Sequence, residues 1–350
     1  MAGGVGERFW PLSKPERPKQ LLNLTHPEET MLEQAIFRLL PLTDQAFVST
    51  SKLLEPAIVE CGLLPESHIL AEPEKRNTLG ALCWTVASLM ARGLESACLA
   101  VVTADHYIGD VPRFRGSVRA AMELAESAGG IVTLGIRPTR AETGYGYIEI
   151  GDQPPADLSG GFHGHRAAAF REKPDAELAE TYVASGHHFW NSGMFIFTVP
   201  EFLRELKAAN PEAHDLCSAI ADLINKDDER GAAELFSKLP NLSIDYAVME
   251  KAERVLVIPV DFPWDDVGAW DALARTLPLD DNDNATQGDI MPIDTKASII
   301  VNDEPGKLVA VLGVENIVVV NTADAVLVCD KAQAQKVRQI AARIAELKKG

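Results

Sequence analysis

The chain has 350 residues, with 51 Asp and Glu against 33 Lys and Arg and a formal net charge of −18. That balance excludes a protein that grips nucleic acid through a basic footprint, and it makes any local gathering of basic residues beside glycines informative. The length suits one large α/β domain plus a smaller appendage.

No apolar run reaches the ~20 residues of a membrane span, and no secretory leader is read at the N-terminus. The five cysteines (Cys61, Cys83, Cys98, Cys217, Cys329) lie far apart without a C-x-x-C pair. They fit a reduced, cytoplasmic protein with buried thiols.

In chain order, the first twenty residues, MAGGVGERFWPLSKPERPKQ, set Gly3, Gly4 and Gly6 beside Arg8 and Lys19. Glycines let backbone N–H groups crowd around an anion, because no Cβ blocks φ > 0 or close approach. Two full positive charges added to that nest suit a polyphosphate better than a core. Such a loop ordinarily follows a buried strand, so a strand upstream of Met1 is expected.

From Met31 to about Arg137, helical patterns at 31–40, 52–61, 77–92 and 111–128 alternate with the apolar runs AFVST (46–50), HILAE (68–72), CLAVVTADH (98–106) and IVTLGI (131–136). The alternation predicts a Rossmann-like, mostly parallel sheet with helices on both faces and ligands beyond the strands' carboxyl ends. Further on, YGYIEI, AAAFREKP, FWNSGMFIF and RVLVIPVDF read as strands. Helices are expected near 175–185, 199–209, 212–225, 230–238 and 243–252. After DDNDN (280–284) the short runs SIIV, KLVAVLG, NIVVV and AVLVC recur about every ten residues and suggest a sandwich or β-helix coils. A helix over 331–348 closes the chain. The predicted division is a catalytic domain, 1–280, and a C-terminal β-rich domain, 281–350.

Polar residues just after apolar runs are the candidates for chemistry. Asp105 follows LAVV-Thr-Ala, where a buried central strand should end, and can hold Mg²⁺ or cap the next helix. Asp265 and Asp266, before Val267-Gly268, are either an N-cap pair or the source of a second metal ligand. Lys173, stiffened by Pro174, offers a point charge for a phosphate monoester or is an ordinary exposed lysine. Glu72 can accept hydrogen bonds from both N1–H and N2–H of guanine, a pair of donors that no other common base presents. Asn77 is a candidate cap for the helix after it. Gly144–Glu149 and Trp190–Gly193 suit a sugar ring or a pair of β-turns. The pairs His163/His165 and His187/His188 lack the further ligands a zinc site needs. There is no G-x-S-x-G elbow, Walker lysine motif or G-x-G-x-x-G run.

Taken in order, AGGVGERFWPLS with PKQ, EPEKRNT, TADH, GYGYIE, FREKPD, WNSGMF, SIDYAVME and WDDVGAW resemble the sugar-phosphate nucleotidyltransferase family, most closely its mannose-1-phosphate guanylyltransferase branch. Each motif is weak alone, but eight in order span nearly the whole chain. The resemblance implies a Rossmann-like catalytic domain, a β-helix-like region used in homodimer contacts, and synthesis of GDP-mannose and pyrophosphate from GTP and mannose 1-phosphate with Mg²⁺. It further implies that Gly3, Gly4, Gly6, Arg8 and Lys19 hold the triphosphate and that Glu72 and Asn77 read the guanine. Asp105 and Asp266 would hold the metal and Lys173 the sugar phosphate, with Gly146, Glu172, Asn191 and Asp245 on mannose. The lack of an isomerase segment argues against bifunctionality. Rival readings are the same chemistry on another sugar or nucleotide, a silent nucleotide-sugar-binding paralogue, and a dehydrogenase.

Overall fold

A computed structural model describes residues 1–347 of the chain. Helix bounds follow their local signals closely. The helix Val111–Ala128 starts where the Asp110 side chain accepts from Arg113 N–H and ends at Gly129, at φ +71°. The helix Met31–Leu39 opens on a capping box between Thr30 and Glu33. A cap of this kind satisfies amides that the first turn leaves unpaired.

The α/β class holds, but the sheet is mixed rather than mostly parallel. Parallel pairing joins Val48–Ser51 to Ile69–Glu72 and Ile131–Ile136 to Val255–Val260. The eleven-residue strand His188–Thr198 runs antiparallel through the middle, against Cys98–Val101, Ile131–Ile136 and Tyr147–Ile150. Tyr147–Ile150 then pairs antiparallel with His163–Arg171, which returns to Val255–Val260, so these strands close on themselves. A run buried on both faces looks the same in either direction, so hydrophobic pattern alone does not reveal strand sense.

The sheet is also parted between Val48–Ser51 and Cys98–Val101. Met1 and Ala2 bridge the gap at one end: Met1 N donates to Val102 O (2.7 Å), Ala104 N to Met1 O (3.0 Å) and Ala2 N to Ser49 O (2.7 Å). Below these rungs runs a mainly apolar slot of about 150 Å³, walled by residues such as Leu89, Leu99, Val101 and Val118. Cys98–Val101, expected to be a buried central strand, is therefore only half-buried. Of the cysteines, Cys83 and Cys217 are buried as expected, whereas Cys61 is exposed.

The expected helix over 243–252 is a short π-helical turn, Asp245–Met249. The 331–348 helix is a 3₁₀ segment, Lys331–Lys336, running into the α-helix Val337–Leu347, with Lys348 outside the described residues. Beyond residue 284 the strands Ala285–Gln287, Ile299–Asn302 and Ile317–Asn321 stack in parallel, and Val326–Asp330 adds antiparallel at the edge. Ile290–Ile293 and Val309–Leu312 form a second parallel face, which gives coils of a β-helix. The sequence reading missed Ala285–Gln287, which is only three residues long, and Ile290–Ile293, which contains Pro292.

One hydrophobic core joins these coils to the start of the chain. Phe9, Leu22, Leu24 and Met31 pack with Trp270, Leu273, Ile299, Val318, Val320 and Leu327. Trp270 is fully buried, edge-on to Phe9 at 5.0 Å, with its indole N–H donated to Trp10 O at 3.1 Å. Trp270→Ala is expected to cost about 3–5 kcal/mol, the usual range for a large buried aromatic. A urea midpoint equivalent to less than about 1 kcal/mol of loss would show that this core does not tie the two parts together.

Candidate active site

Gly6 lies at φ +81°, and a Cβ there would sit 2.3 Å from the Lys19 Cβ. Glycine is thus required twice, by backbone sign and by contact. The close approach seats Lys19, whose side chain is almost wholly buried against Phe9. Its Nζ donates to Asp105 Oδ2 and to the Asp266 main-chain carbonyl, both at 2.9 Å. One ammonium therefore draws together the glycine loop, the strand exit and the distant acidic turn. Burial works against ionising Asp105, but Lys19 and His106 outweigh it and hold the carboxyl below its ordinary value. His106 itself is pushed down to about 4, chiefly by burial.

The two adjacent acids have separate duties. Asp265 is buried, pairs with Arg275 at 2.6 Å and accepts the Val267 N–H at 2.8 Å, so it holds the turn. Asp266 faces the other way: its Oδ1 accepts from the Tyr145 hydroxyl at 2.8 Å. Burial raises its pKa, partly offset by that bond and by Lys19. Val267, between this pair and Gly268, sits at φ +47°, an outlier for a β-branched residue. Arg8 reaches the same turn, donating to Gly268 O at 3.0 Å.

A cavity of about 240 Å³ opens beside Gly3 and Gly4, lined also by Ser49, Glu72, Lys75, Asn77 and Thr103. Three buried polar atoms on this lining have no protein partner: Ser49 Oγ, Glu72 Oε2 and Thr103 Oγ1. Buried polar groups are ordinarily satisfied, so three orphans around one cavity mark a place for a polar ligand. Burial pushes Glu72 up to about 7, with the Lys75 charge opposing. Asn77 stands exposed at the lip at φ +58° and does not cap the helix Asn77–Met90, whose N-cap is Arg76.

The remaining candidates form a group of their own. A Cβ on Gly146 would lie 2.6 Å from Glu172 Oε2, so glycine admits that carboxylate. Asn191 donates its backbone N–H to Gly146 O and its side-chain amide to Asp245 Oδ1 at 3.0 Å. Burial, then the nearby Glu172, raise Asp245 to about 6. Lys173 is turned toward Glu172 at 2.8 Å and is largely exposed.

The structure thus gathers Lys19, Asp105, Asp266 and Arg8 in one cluster and Gly3, Gly4, Glu72 and Asn77 in a second. Gly146, Glu172, Lys173, Asn191 and Asp245 form a third. Sequence reasoning missed Tyr145, Ser49 and Thr103. Tyr145 had a signal, an aromatic between two glycines after Thr143, whereas Ser49 and Thr103 look like ordinary strand residues. Among the described residues, no group of three or more His, Cys, Asp or Glu stands in metal-holding geometry. Among those residues, too, no helix is long and apolar enough to cross a membrane.

A profile described as Nucleotidyl transferase matches residues 1–282, and one described as MannoseP isomerase/GMP-like beta-helix domain matches 288–344. The mannose-1-phosphate guanylyltransferase of Klebsiella pneumoniae is 37% identical over 347 residues, which cover 97% of this chain and 72% of that protein. Mannose-1-phosphate guanylyltransferase 2 of Escherichia coli O157:H7 is 38% identical over 354 residues, covering 97% and 71%. A crystal structure from Thermus thermophilus, described as a mannose-1-phosphate geranyltransferase, superposes with a TM-score of 0.87 at 36% identity, covering 99% of this chain and 98% of that one. Matched in profile over most of its length, and aligned over 97% of it with enzymes of which it spans 71% and 72%, the chain belongs to the nucleotidyl transferase family.

Proposed function

We propose that this chain joins GTP to mannose 1-phosphate, forming GDP-mannose and releasing pyrophosphate. The observation that carries the reading is the cavity with three orphan polar atoms, one of them a buried carboxylate beside the glycine loop. Once ionised, Glu72 offers two acceptor oxygens, the complement of guanine N1–H and N2–H. Ser49 and Thr103 have hydroxyls free for the nucleoside.

An oxygen of mannose 1-phosphate attacks the α-phosphorus in line, and the bond to the bridging oxygen of pyrophosphate breaks. The second pKa of a phosphate monoester is about 6, so the nucleophile is ionised at neutral pH and no general base is required. The protein must instead overcome repulsion between two anions on a chain that is itself strongly acidic. Loop amides, Arg8 and Lys19 serve the triphosphate end, and Lys173 serves the sugar phosphate, exchanging Glu172 for it. Gly146, Glu172, Asn191 and Asp245 offer acceptors and a donor to sugar hydroxyls.

Asp105 and Asp266 fit Mg²⁺ as hard oxygen donors, too few to hold it without phosphate oxygens. When bound there, the ion supplies charge neutralisation at the reacting phosphates. The homodimer belongs to this reading and is supported by apolar side chains exposed on the coils, among them Met291, Ile293, Leu312, Val326 and Val328. A cytoplasmic setting is supported by five unpaired cysteines.

Glu72→Gln is expected to lower kcat/KM for GTP by about 10- to 100-fold, the value of a charged hydrogen-bonding pair, while changing UTP or dTTP use little. An unchanged nucleotide ratio would place selectivity elsewhere. The pH dependence has a definite sign. Glu72 is raised to about 7 in the free protein, so the acceptor form is scarce below that pH. KM for GTP should therefore rise as pH falls from about 8 to about 6, and the Gln variant should lack this slope. Asp105→Asn is expected to cut turnover at least about a hundredfold and to raise the Mg²⁺ concentration giving half-maximal rate. Near-normal GDP-mannose formation by that variant would remove the metal assignment.

A further inference from the structure

The nucleotidyl transfer reading leaves several histidines unused, and the fold brings three of them to one place. His163, His165 and His187 line a second cavity, of about 430 Å³, together with Arg113 and Arg137. It lies where the parallel strands Ile131–Ile136 and Val255–Val260 end, away from the orphan-lined cavity beside Gly3. Its volume falls within the range of small-molecule sites.

The charge of this lining runs against that of the whole chain. Asp261 is its one acidic side chain, and Arg113 already engages it at 2.8 Å. Arg113 lies over the Phe162 ring at 5.1 Å and Arg137 over Phe189 at 5.5 Å. Stacking fixes the plane of a guanidinium and leaves its N–H edge free to fork onto an oxyanion. The Arg137 guanidinium makes no hydrogen bond or ion pair to protein among the described residues. His163 is taken by Asp157 at 3.0 Å, whereas the ring nitrogens of His165 and His187 have no protein partner among those residues. On a protein of net charge −18, an Arg137 guanidinium without a carboxylate, beside ring nitrogens free to donate, suits an anion that is held locally.

We propose that this cavity is a second anion site, separate from the glycine loop, which takes a small phosphorylated ligand with its phosphoryl oxygens on Arg137, His165 and His187. Inorganic phosphate, pyrophosphate and the phosphates of a nucleotide share this chemistry. Phe189 lies two residues before Asn191 and so on the same face of the strand, next to the cluster assigned to the sugar.

Calorimetric titration with inorganic phosphate, with pyrophosphate and with GDP tests the proposal. Wild type is compared with Arg137→Ala/His165→Ala and with Arg137→Gln. A thermal melt confirms that each variant folds. The double variant should lose one bound equivalent of pyrophosphate, or show its affinity fall about tenfold or more, with GDP-mannose formation unchanged. Arg137→Gln should weaken the same event. Tighter binding of GDP than of pyrophosphate at this site would assign it to an organic phosphate, and equal binding to the free anion. Identical isotherms for wild type and both variants would overturn the proposal. Arg8→Ala reports separately on the catalytic site, because it should remove a different equivalent and leave this one in place.

Discussion

The arrangement depends on one buried cation. Lys19 is nearly sealed from solvent, yet its ammonium spans the Asp105 carboxylate and the Asp266 carbonyl. Asp105 is partly open to solvent, but losing it would leave the nearly sealed Lys19 charge without its carboxylate partner, at a cost in stability. That penalty fixes the glycine loop, the strand exit and the acidic turn relative to one another, although they come from the two ends of the catalytic fold. Gly6 makes the geometry possible by leaving space for the lysine stem. Val267, held at positive φ, directs the Asp266 carbonyl onto the ammonium, and local backbone strain of this kind persists only where the surroundings over-determine it.

Around that centre the acids are tuned by environment rather than by sequence. Asp105, beside the lysine, is kept ionised. Glu72 and Asp245 are raised to about 7 and 6, chiefly by burial, and at Glu72 the Lys75 charge only partly opposes this. Asp245 lies beside Glu172 and accepts from the Asn191 amide, so carboxylate acceptors and an amide donor stand side by side.

Much of the fold was legible where local chemistry decides it. The helix Val111–Ala128 follows from Asp110, Pro112 and Gly129, and the candidate acids were identified by their place after apolar runs. The sense of the long strand His188–Thr198 was not legible, because a doubly buried run carries no directional mark. The split between Asp265 and Asp266 was hidden for a similar reason. Adjacent residues in a turn point apart, and only the position of Arg275 shows which of them is structural. Tyr145 is informative only once its hydroxyl is seen on Asp266. His163 and His165 already share one strand face, and His187 joins them only when the strands close on themselves.

The core shared by the β-coils and the first residues has a mechanical consequence. Leu327 is buried in that core, while its neighbours Val326 and Val328 face outward on an edge strand. From Leu327 the packing passes through Trp270 and Phe9 to Gly6, whose carbonyl receives the Phe9 N–H at 2.8 Å. Force applied to the outer surface of the coils is therefore in series with the backbone of the glycine loop. A neighbouring molecule pressing on that surface would be felt at the glycine loop without touching it.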